Sequence, residues 1–232
     1  MFPLDAYTPY NPLDDENLAQ NVADALEREP VHRLPPSPFQ GPGLYAIYYV
    51  GKYELYKPLS DLCRREATPE SHDIGPFAVP MYVGKAAASG SRKGTRKTTN
   101  RELYNRIREH ANSIRNAAST LDISDFRVRY LRVKDIWIPL GEHGIINRYK
   151  PIWNRVVDGF GNHAQGSGRD EQSRSPWDMI HPGRSFAMRL TPNPDGLEKI
   201  EQRVRDAVAA IATSHQVPEE LLTVSEAEAL ED

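Results

Sequence analysis

The chain has 232 residues, of which 39% are hydrophobic and 26% are charged, and its formal net charge at neutral pH is -3. It is long enough to bury a sizeable core, its single cysteine (Cys63) excludes an internal disulfide and a cysteine-built zinc site, and no apolar run approaches the ~20 residues of a membrane span. The N-terminus lacks the basic flank and the apolar stretch of a signal peptide. We therefore expect one globular, cytoplasmic unit.

The charge is unevenly distributed along the chain. Residues 31–215 hold 28 Lys or Arg against 19 Asp or Glu, a net charge of +9, whereas both ends are acidic. Between Lys85 and Arg115 there are nine Lys or Arg, opposed by Glu102 and Glu109 alone. Such a run is typical either of a solvated surface or of phosphate contact. We favour phosphate contact because the run adjoins the candidate site described below.

The N-terminal region is predicted to contain one packing helix and an extended segment. The helix lies in an acidic stretch that ends at Glu29-Pro30, and its apolar residues recur at helical spacing: Leu18, Val22, Ala25 and Leu26. Residues 30–42 hold five prolines and are predicted to lead to the first strand in an extended conformation, with His32 exposed in this loop.

Two strand-like runs follow, each rich in β-branched and aromatic residues. The first is 43–50 (Gly-Leu-Tyr-Ala-Ile-Tyr-Tyr-Val), and the second is 80–84 (Pro-Met-Tyr-Val-Gly), which ends at a glycine. The connection between them, 51–79, is long for two neighbouring strands and is interpreted as an insertion. Its 53–65 portion can contain a short helix.

A small, polar and basic loop at 86–100 precedes a second predicted helix. The loop has no apolar face, so it is either simply flexible or able to follow a phosphate backbone. Thr99 and Glu102 form a capping-box pattern at the helix start, and the core face of the helix consists of Leu103, Ile107, Ala111 and Ile114. Arg106 and His110 are four residues apart, so they lie on one side of this helix.

The C-terminal half is predicted to add a third strand and two helices. Phe126, Val128 and Tyr130 alternate with arginines, which indicates a half-buried strand with a basic outer face. A helix from Pro139 carries Glu142 in its first turn, where the helix dipole favours a carboxylate. A long amphipathic helix follows at 194–213, while 159–175 is loop-like and 217–232 is a last short helix or a frayed tail.

The succession of motifs along residues 43–154 resembles the GIY-YIG nuclease superfamily. The two half-motifs are Gly43-Leu44-Tyr45 and Tyr82-Val83-Gly84, and the residues that follow in family order are Arg106, His110, Glu142 and the Asn154 of Pro151-Ile152-Trp153-Asn154. The helical spacing from arginine to histidine and the Pro-x-Trp-Asn ending are most similar to the type II restriction endonucleases of this superfamily.

The chain departs from the family pattern in the distance between the half-motifs. Tyr45 and Tyr82 are 37 residues apart, whereas compact members of the family use a short hairpin. Tyr48 and Tyr49 lie just downstream and are alternatives for the first tyrosine. We prefer Tyr45 because it alone follows Gly-Leu.

The resemblance implies an α+β fold, in which helices flank a small, mostly antiparallel three-stranded sheet. On this interpretation 1–232 is a single nuclease domain. It would consist of an N-terminal extension (1–42), a core (43–154) that carries the insertion (51–79), and a C-terminal helical extension (155–232).

The resemblance also implies Mg²⁺-dependent hydrolysis of double-stranded DNA at a short, GC-rich palindrome of the CCGCGG kind, by a bacterial homodimer. The implied catalytic residues are Tyr45, Tyr82, Arg106, His110, Glu142 and Asn154. Glu142 would hold one Mg²⁺ per active site, and the proposed DNA contacts are Lys85, Arg92, Lys93, Arg96, Lys97 and Arg101. A tyrosine would be the general base, its pKa lowered by Arg106, Lys85 and the metal. His110 would bond one of the two tyrosines or relay its proton, and Asn154 would orient a tyrosine or the carboxylate.

Other interpretations stay open at this point. Taken singly, these residues could be strand aromatics, a structural histidine, a turn asparagine and surface charges. The chain could also be a repair or homing nuclease of the same superfamily, or a non-catalytic DNA-binding module. A cleavage assay separates the last of these from the others, and the sequence preference of the cuts separates a restriction enzyme from a repair or homing enzyme.

Overall fold

The computed structural model describes residues 14–64, 77, 79–87, 101–162, 172–214 and 221. Its helices are α1 (Asp15–Arg28), α2 (Lys57–Arg64), α3 (Glu102–Asn116), α4 (Ile138–Tyr149), α5 (Ile152–Arg155), α6 (Pro176–Ile180) and α7 (Leu197–Ser214). Its strands are β1 (His32–Arg33), β2 (Gly43–Tyr49), β3 (Tyr82–Ala86) and β4 (Phe126–Arg132). Within these ranges, no helix is both long and apolar enough to cross a membrane.

The strands form one antiparallel sheet in the order β1-β4-β2-β3. This confirms the predicted α+β class, but the sheet has four strands rather than three. The added strand, β1, lies in the proline-rich segment that we expected to be merely extended. Its His32 pairs with Val128, and the His32 ring stacks on Tyr130 with centroids 5.1 Å apart, so His32 is not an exposed loop residue as predicted.

Strand β2 is buried on both faces and divides the core into two apolar clusters. Alternate residues of a strand point to opposite faces of the sheet. Tyr45, Ile47 and Tyr49 accordingly join the cluster that packs against α2, α3 and α7, whereas Leu44 and Ala46 join the cluster beneath α1 and α4. The sheet is therefore sandwiched between two helical layers, which explains why β2 has no polar face.

The N-terminal helix, α1, packs against α4, the helix that carries Glu142. Helix α1 confirms the predicted packing helix, with Ala19, Ala23 and Leu26 buried. It packs against α4, and Asp24 of α1 forms an ion pair with Arg148 of α4 at 2.7 Å. Helices α1 and α4 thus lie side by side in the layer that covers one face of the sheet.

The described part of the insertion between β2 and β3 contributes to the core. A 3₁₀ turn at Glu54–Tyr56 leads into α2, which confirms the short helix expected within 53–65. The side chains of Leu55, Tyr56, Leu59 and Leu62 are buried in the larger cluster. Burying this many large apolar side chains, at ~1.5–3 kcal/mol each, anchors the segment to the sheet.

The helices agree with the predicted spacing in their cores and differ at their ends. The four predicted core residues of α3 are fully buried, but its N-cap is Arg101, and Thr99 lies outside the described residues. Helix α4 begins at Ile138, so Glu142 lies in its second turn and our placement in the first turn is wrong. Helix α7 matches the predicted amphipathic helix, although Leu197 at its start is 42% exposed.

Candidate active site

The predicted site residues gather around the free edge of β3, the last strand of the sheet. Tyr82 packs toward α3, while Val83 belongs to the cluster beneath α4, so the strand's alternation directs Lys85 toward α4 as well. Helix α4 itself packs along β3. Side chains on both faces of the sheet can therefore meet at this edge.

The ring of Tyr45 packs over Gly84 of β3, which has no side chain to block it. Tyr45 lies opposite Gly84 in the sheet register. A methyl group at Gly84 would come within 2.6 Å of the Tyr45 ring and 2.9 Å of the Tyr82 ring, far closer than real Cβ contacts. Strand β3 continues to Ala86, so the prediction that it ends at Gly84 is wrong. The glycine is needed because two tyrosines pack over it, not because the chain turns there.

Tyr45 is joined to His110 in the interior. Tyr45 Oη and His110 Nε2 are 2.5 Å apart, and both side chains are fully buried. The alternative tyrosines are elsewhere: Tyr48 packs in the cluster on the opposite face of the sheet, and Tyr49 Oη accepts a hydrogen bond from the backbone N–H of Tyr53. Of the three tyrosines of β2, Tyr45 is thus the one that reaches α3.

Tyr82 and Arg106 complete this side of the site. The half-buried Tyr82 ring lies 5.0 Å from the His110 ring, centroid to centroid. The Arg106 side chain is 28% exposed, and its guanidinium donates to the carbonyl of Gly161 and approaches Glu109 at 3.5 Å. Arg106 also interacts with both site tyrosines.

The pKa values of the tyrosines differ from our expectation. Burial raises the pKa of Tyr45 well above its usual value and also raises the pKa of Tyr82. The Arg106 guanidinium lowers both values, but it only partly offsets the loss of hydration. Arg106 thus acts in the predicted direction but is outweighed by burial, and both side chains are neutral phenols at neutral pH.

On the other side of the edge, Lys85 pairs with Glu142. Lys85 Nζ lies 2.7 Å from Glu142 Oε2, and the Glu142 side chain is 20% exposed. Burial raises the pKa of the Glu142 carboxyl, while the hydrogen bond and the charge of Lys85 act in the opposite direction. Lys85, which we predicted to contact DNA, neutralises the predicted metal ligand in this structure.

Asn154 binds the edge of β3. Its Oδ1 accepts from Val83 N at 2.7 Å, and its Nδ2 donates to Val83 O at 2.9 Å. The amide thus pairs with the peptide groups next to Tyr82 as another strand would. Both observed contacts of the Asn154 amide are thus to the backbone of Val83, the residue that follows Tyr82.

A cleft of about 1050 Å³ opens along this edge. Four of the predicted residues line it: Tyr82, Lys85, Glu142 and Asn154. The fully buried Tyr45 and His110 lie behind Tyr82. A phenol, an amine, a carboxylate and an amide facing one open cleft suit the binding of a phosphate backbone together with a hard cation.

Comparison with known families agrees with this geometry. The family model described as the Eco29kI GIY-YIG domain matches residues 37–208. The chain belongs to the Eco29kI GIY-YIG family of restriction endonucleases. A search of the curated proteins found no match.

The match to the Eco29kI GIY-YIG domain extends beyond the motifs. It continues past Asn154 through α5 and α6 and includes most of α7. The family is one of nucleases, so its substrate is DNA, and GIY-YIG nucleases generally depend on a divalent metal.

The predicted DNA-contacting residues are only partly described. Arg92, Lys93, Arg96 and Lys97 lie outside the described residues. Arg101 is exposed at the N-cap of α3, the helix that carries Arg106 and His110. Arg155 and Arg174 line the cleft of this Eco29kI-type domain and were not predicted. Neither belongs to a motif, so only the tertiary structure identifies them.

Sequence reasoning also missed a turn at residues 159–162. Its Phe160 packs on His110, and its Gly161 accepts a hydrogen bond from Arg106. We had interpreted this stretch only as the start of a loop. The Gly-Phe-Gly sequence gives no signal of its role, because any exposed turn favours glycine.

Proposed function

We propose that this protein is a type II restriction endonuclease that cleaves double-stranded DNA at a short, GC-rich palindrome. The observation that carries the proposal is the cleft along the edge of β3, where Tyr82, Lys85, Glu142 and Asn154 face one space within a domain of the Eco29kI family. The proposal keeps 1–232 as one nuclease unit and a bacterial cytoplasmic location.

We propose that Glu142 binds one Mg²⁺ per active site. The residues fit a hard cation: the Glu142 carboxylate lies in the wall of the cleft and already has a cationic partner at 2.7 Å. Among the described residues, no three His, Cys, Asp or Glu side chains cluster, which agrees with an ion that keeps most of its waters. When bound, the metal would withdraw charge from the scissile phosphate and stabilise the leaving oxygen. Lys85, released from Glu142, would then be available to bind a phosphate.

Tyr82 is proposed to accept the proton of the attacking water, because it lines the cleft while Tyr45 is fully buried. Since burial raises the pKa of both tyrosines, we propose that neither carries a stable negative charge and that the proton moves on. Tyr82 would take the water proton and pass its own to Tyr45, which would pass its proton to His110 Nε2 across the 2.5 Å contact. The hydroxide then attacks phosphorus as the bond to the leaving oxygen breaks. That oxygen takes a proton from solvent, and His110 returns its extra proton to solvent through Tyr45 and Tyr82.

Arg106 and Asn154 are proposed to support this chemistry from either side. Arg106 supplies fixed donors that stabilise the negative charge growing on the phosphate oxygens. Asn154 keeps the edge of β3, and with it Tyr82, in register through its two bonds to Val83. The remaining basic residues, including Arg101, are proposed to contact the DNA backbone.

Replacing Arg92, Lys93, Arg96 and Lys97 together by alanine should weaken DNA binding uniformly across sequences. Fewer counterions would be released on binding, so the plot of log K against log salt should become less steep, by about 0.9 for each lost phosphate contact. Fluorescence anisotropy over a salt series measures this slope. A quadruple variant of exposed charges serves as control: Lys57 on α2, Lys199 and Arg205 on α7, and Lys52 in the loop after β2. An unchanged slope would mean that the loop faces solvent.

The proposed function is tested by digesting a supercoiled plasmid that bears one copy of a candidate site, with Mg²⁺ added to start the reaction. An isologous dimer has the same two-fold symmetry as a palindrome, so two active sites would cut both strands. We expect linear product, identical ends on sequencing, and a solution mass twice that of the chain. Nicked circles cut at scattered positions by a monomer would favour a repair-type nuclease, and binding without cleavage would favour the non-catalytic module.

A further inference from the structure

The Phe160 ring packs behind the proposed site, against two of its residues. It is fully buried, stacks on the His110 imidazole with centroids 4.5 Å apart, and meets the Tyr82 ring nearly edge-on at 4.9 Å. Trp153 packs against its other side at 4.5 Å. The positions of His110 and Tyr82 relative to each other therefore depend on where Phe160 is held.

The neighbouring Gly161 reaches Arg106. Its carbonyl accepts a hydrogen bond from Arg106 Nη2 at 3.2 Å. A methyl group at Gly161 would lie 3.0 Å from Tyr82 Oη and 3.7 Å from Arg106 Nη2, so a side chain here would press on the Tyr82 hydroxyl while making ordinary contact with Arg106. Together with Phe160, this turn contacts three of the proposed site residues.

The turn is bound from behind by the guanidinium of Arg184. Arg184 Nη1 donates to the carbonyls of Phe160, at 3.1 Å, and of Asn162, at 2.9 Å. Arg184 Nη2 donates to the carbonyl of Gly159 at 2.7 Å. Three carbonyl groups within four residues thus converge on one side chain, which sets the conformation of the turn.

Arg184 is itself fixed by a buried ion pair. It is only 2% exposed, and its Nε and Nη2 each donate to the Asp178 carboxylate at 2.7 Å. Its guanidinium also lies over the Trp177 ring, 4.5 Å from the centroid. With the three carbonyls, these bonds use all five N–H donors of the arginine. A buried, fully bonded guanidinium of this kind is rigid, and leaving it unpaired would be costly.

We propose that Arg184, held by Asp178, is a positioning residue of the nuclease centre and acts through the 159–162 turn. It keeps Phe160 against His110 and the Gly161 carbonyl against Arg106. The inference rests on the proposed nuclease function. Lysine cannot replace the arginine, because one ammonium group cannot reproduce a planar fork that binds a carboxylate and three carbonyls at once.

The first test is Arg184→Lys, which keeps the charge and removes the fork. Cleavage of a one-site plasmid should show kcat reduced roughly 10- to 100-fold, since displacements of about 1 Å in a catalytic group have effects of this size. KM and the dissociation constant for DNA should be unchanged, because Arg184 is buried and does not contact substrate. Kinetics are measured well below the melting temperature of each variant. A folded Arg184→Lys protein with wild-type kcat overturns the proposal.

Gly161→Ala tests the same route without disturbing the buried ion pair. Its methyl group would shift the Tyr82 hydroxyl, so kcat should fall while the melting temperature stays near that of wild type. If both variants act through the turn, the double variant should lose much less activity than the product of the two single effects. The proposal is contradicted if Gly161→Ala has wild-type kcat. It is also contradicted if the two effects multiply fully in the double variant. If Arg184→Lys does not fold, the Gly161→Ala result alone is the test.

A matched control is Val208→Ala, which removes buried methyl groups from the core face of α7 and leaves the bonds of the turn as they are. It should lower the melting temperature and leave kcat at the wild-type value. A loss of kcat in this control as large as in Arg184→Lys would mean that lowered stability alone explains the effect. Wild-type protein that does not cleave DNA defeats the proposed function instead, and this is known before any variant is compared.

Discussion

Glu142→Gln should abolish cleavage and leave DNA binding intact. The amide has nearly the shape of the carboxylate but is a poor ligand for a hard cation, and a metal's contribution of several kcal/mol to the transition state corresponds to a loss of roughly 10³-fold or more in rate. DNA affinity should persist, because the substitution removes a negative charge and frees Lys85 from its ion pair. Plasmid digestion and fluorescence anisotropy measure the two properties separately.

A direct measurement of metal binding strengthens this test. Electron paramagnetic resonance of added Mn²⁺ should detect an ion bound to the wild-type protein. The affinity for Mn²⁺ should be much lower in Glu142→Gln. The control is Glu27→Gln. It removes the ion pair between Glu27 on α1 and Arg148 on α4, the helix that carries Glu142 (3.5 Å). A Glu142→Gln enzyme that cuts nearly as fast as wild type would leave Glu142 only as the structural partner of Lys85.

Tyr82→Phe should reduce kcat by roughly 10²- to 10⁴-fold, the range expected when a positioned proton acceptor is removed. Tyr45→Phe should have a smaller effect, because the Tyr45 hydroxyl is fully buried and its role is to connect Tyr82 to His110. Single-turnover cleavage rates at saturating enzyme measure these effects without the contribution of product release.

Tyr130→Phe is the matched control for the two tyrosine variants. Tyr130 lies opposite Tyr45 on β4 and packs against the same apolar cluster, but it does not line the cleft. The Tyr130→Phe variant should cleave DNA at close to the wild-type rate. A Tyr45→Phe variant that is slower than Tyr82→Phe would reverse the order of the proposed relay and make Tyr45 the group that meets the water.

Much of the fold follows from spacing within short stretches of the chain. The core face of α3, the packing helix α1 and the strand β4 were predicted from apolar periodicity, and β2 from its density of β-branched and aromatic residues; all are present. Periodicity works here because helix and strand geometry depend on residues only a few positions apart. Helix ends were less well predicted: α4 starts earlier than expected, since Ile138 is buried and extends the packing of the helix.

The candidate site was identified as a set of residues, but not as a geometry. The order of the motifs was enough to select Tyr45, Tyr82, His110 and Glu142 from the sequence, and no local pattern revealed what each of them contacts. The partner of Glu142 proved to be Lys85, and that of Asn154 proved to be the backbone of Val83. The direction of the tyrosine pKa shifts depended on burial, which the sequence does not quantify.

The contacts between distant segments are visible only in the tertiary structure. Tyr45 and His110 are 65 positions apart, and Val83 and Asn154 are 71 apart. Arg184 likewise binds the carbonyls of Phe160 and Gly159, which are 24 and 25 positions away. By itself, the sequence determined the elements, the family resemblance and the chemical groups available. Contacts across the chain depend on sheet register and on how the layers pack, and these are set by the summed burial of many side chains rather than by any local pattern.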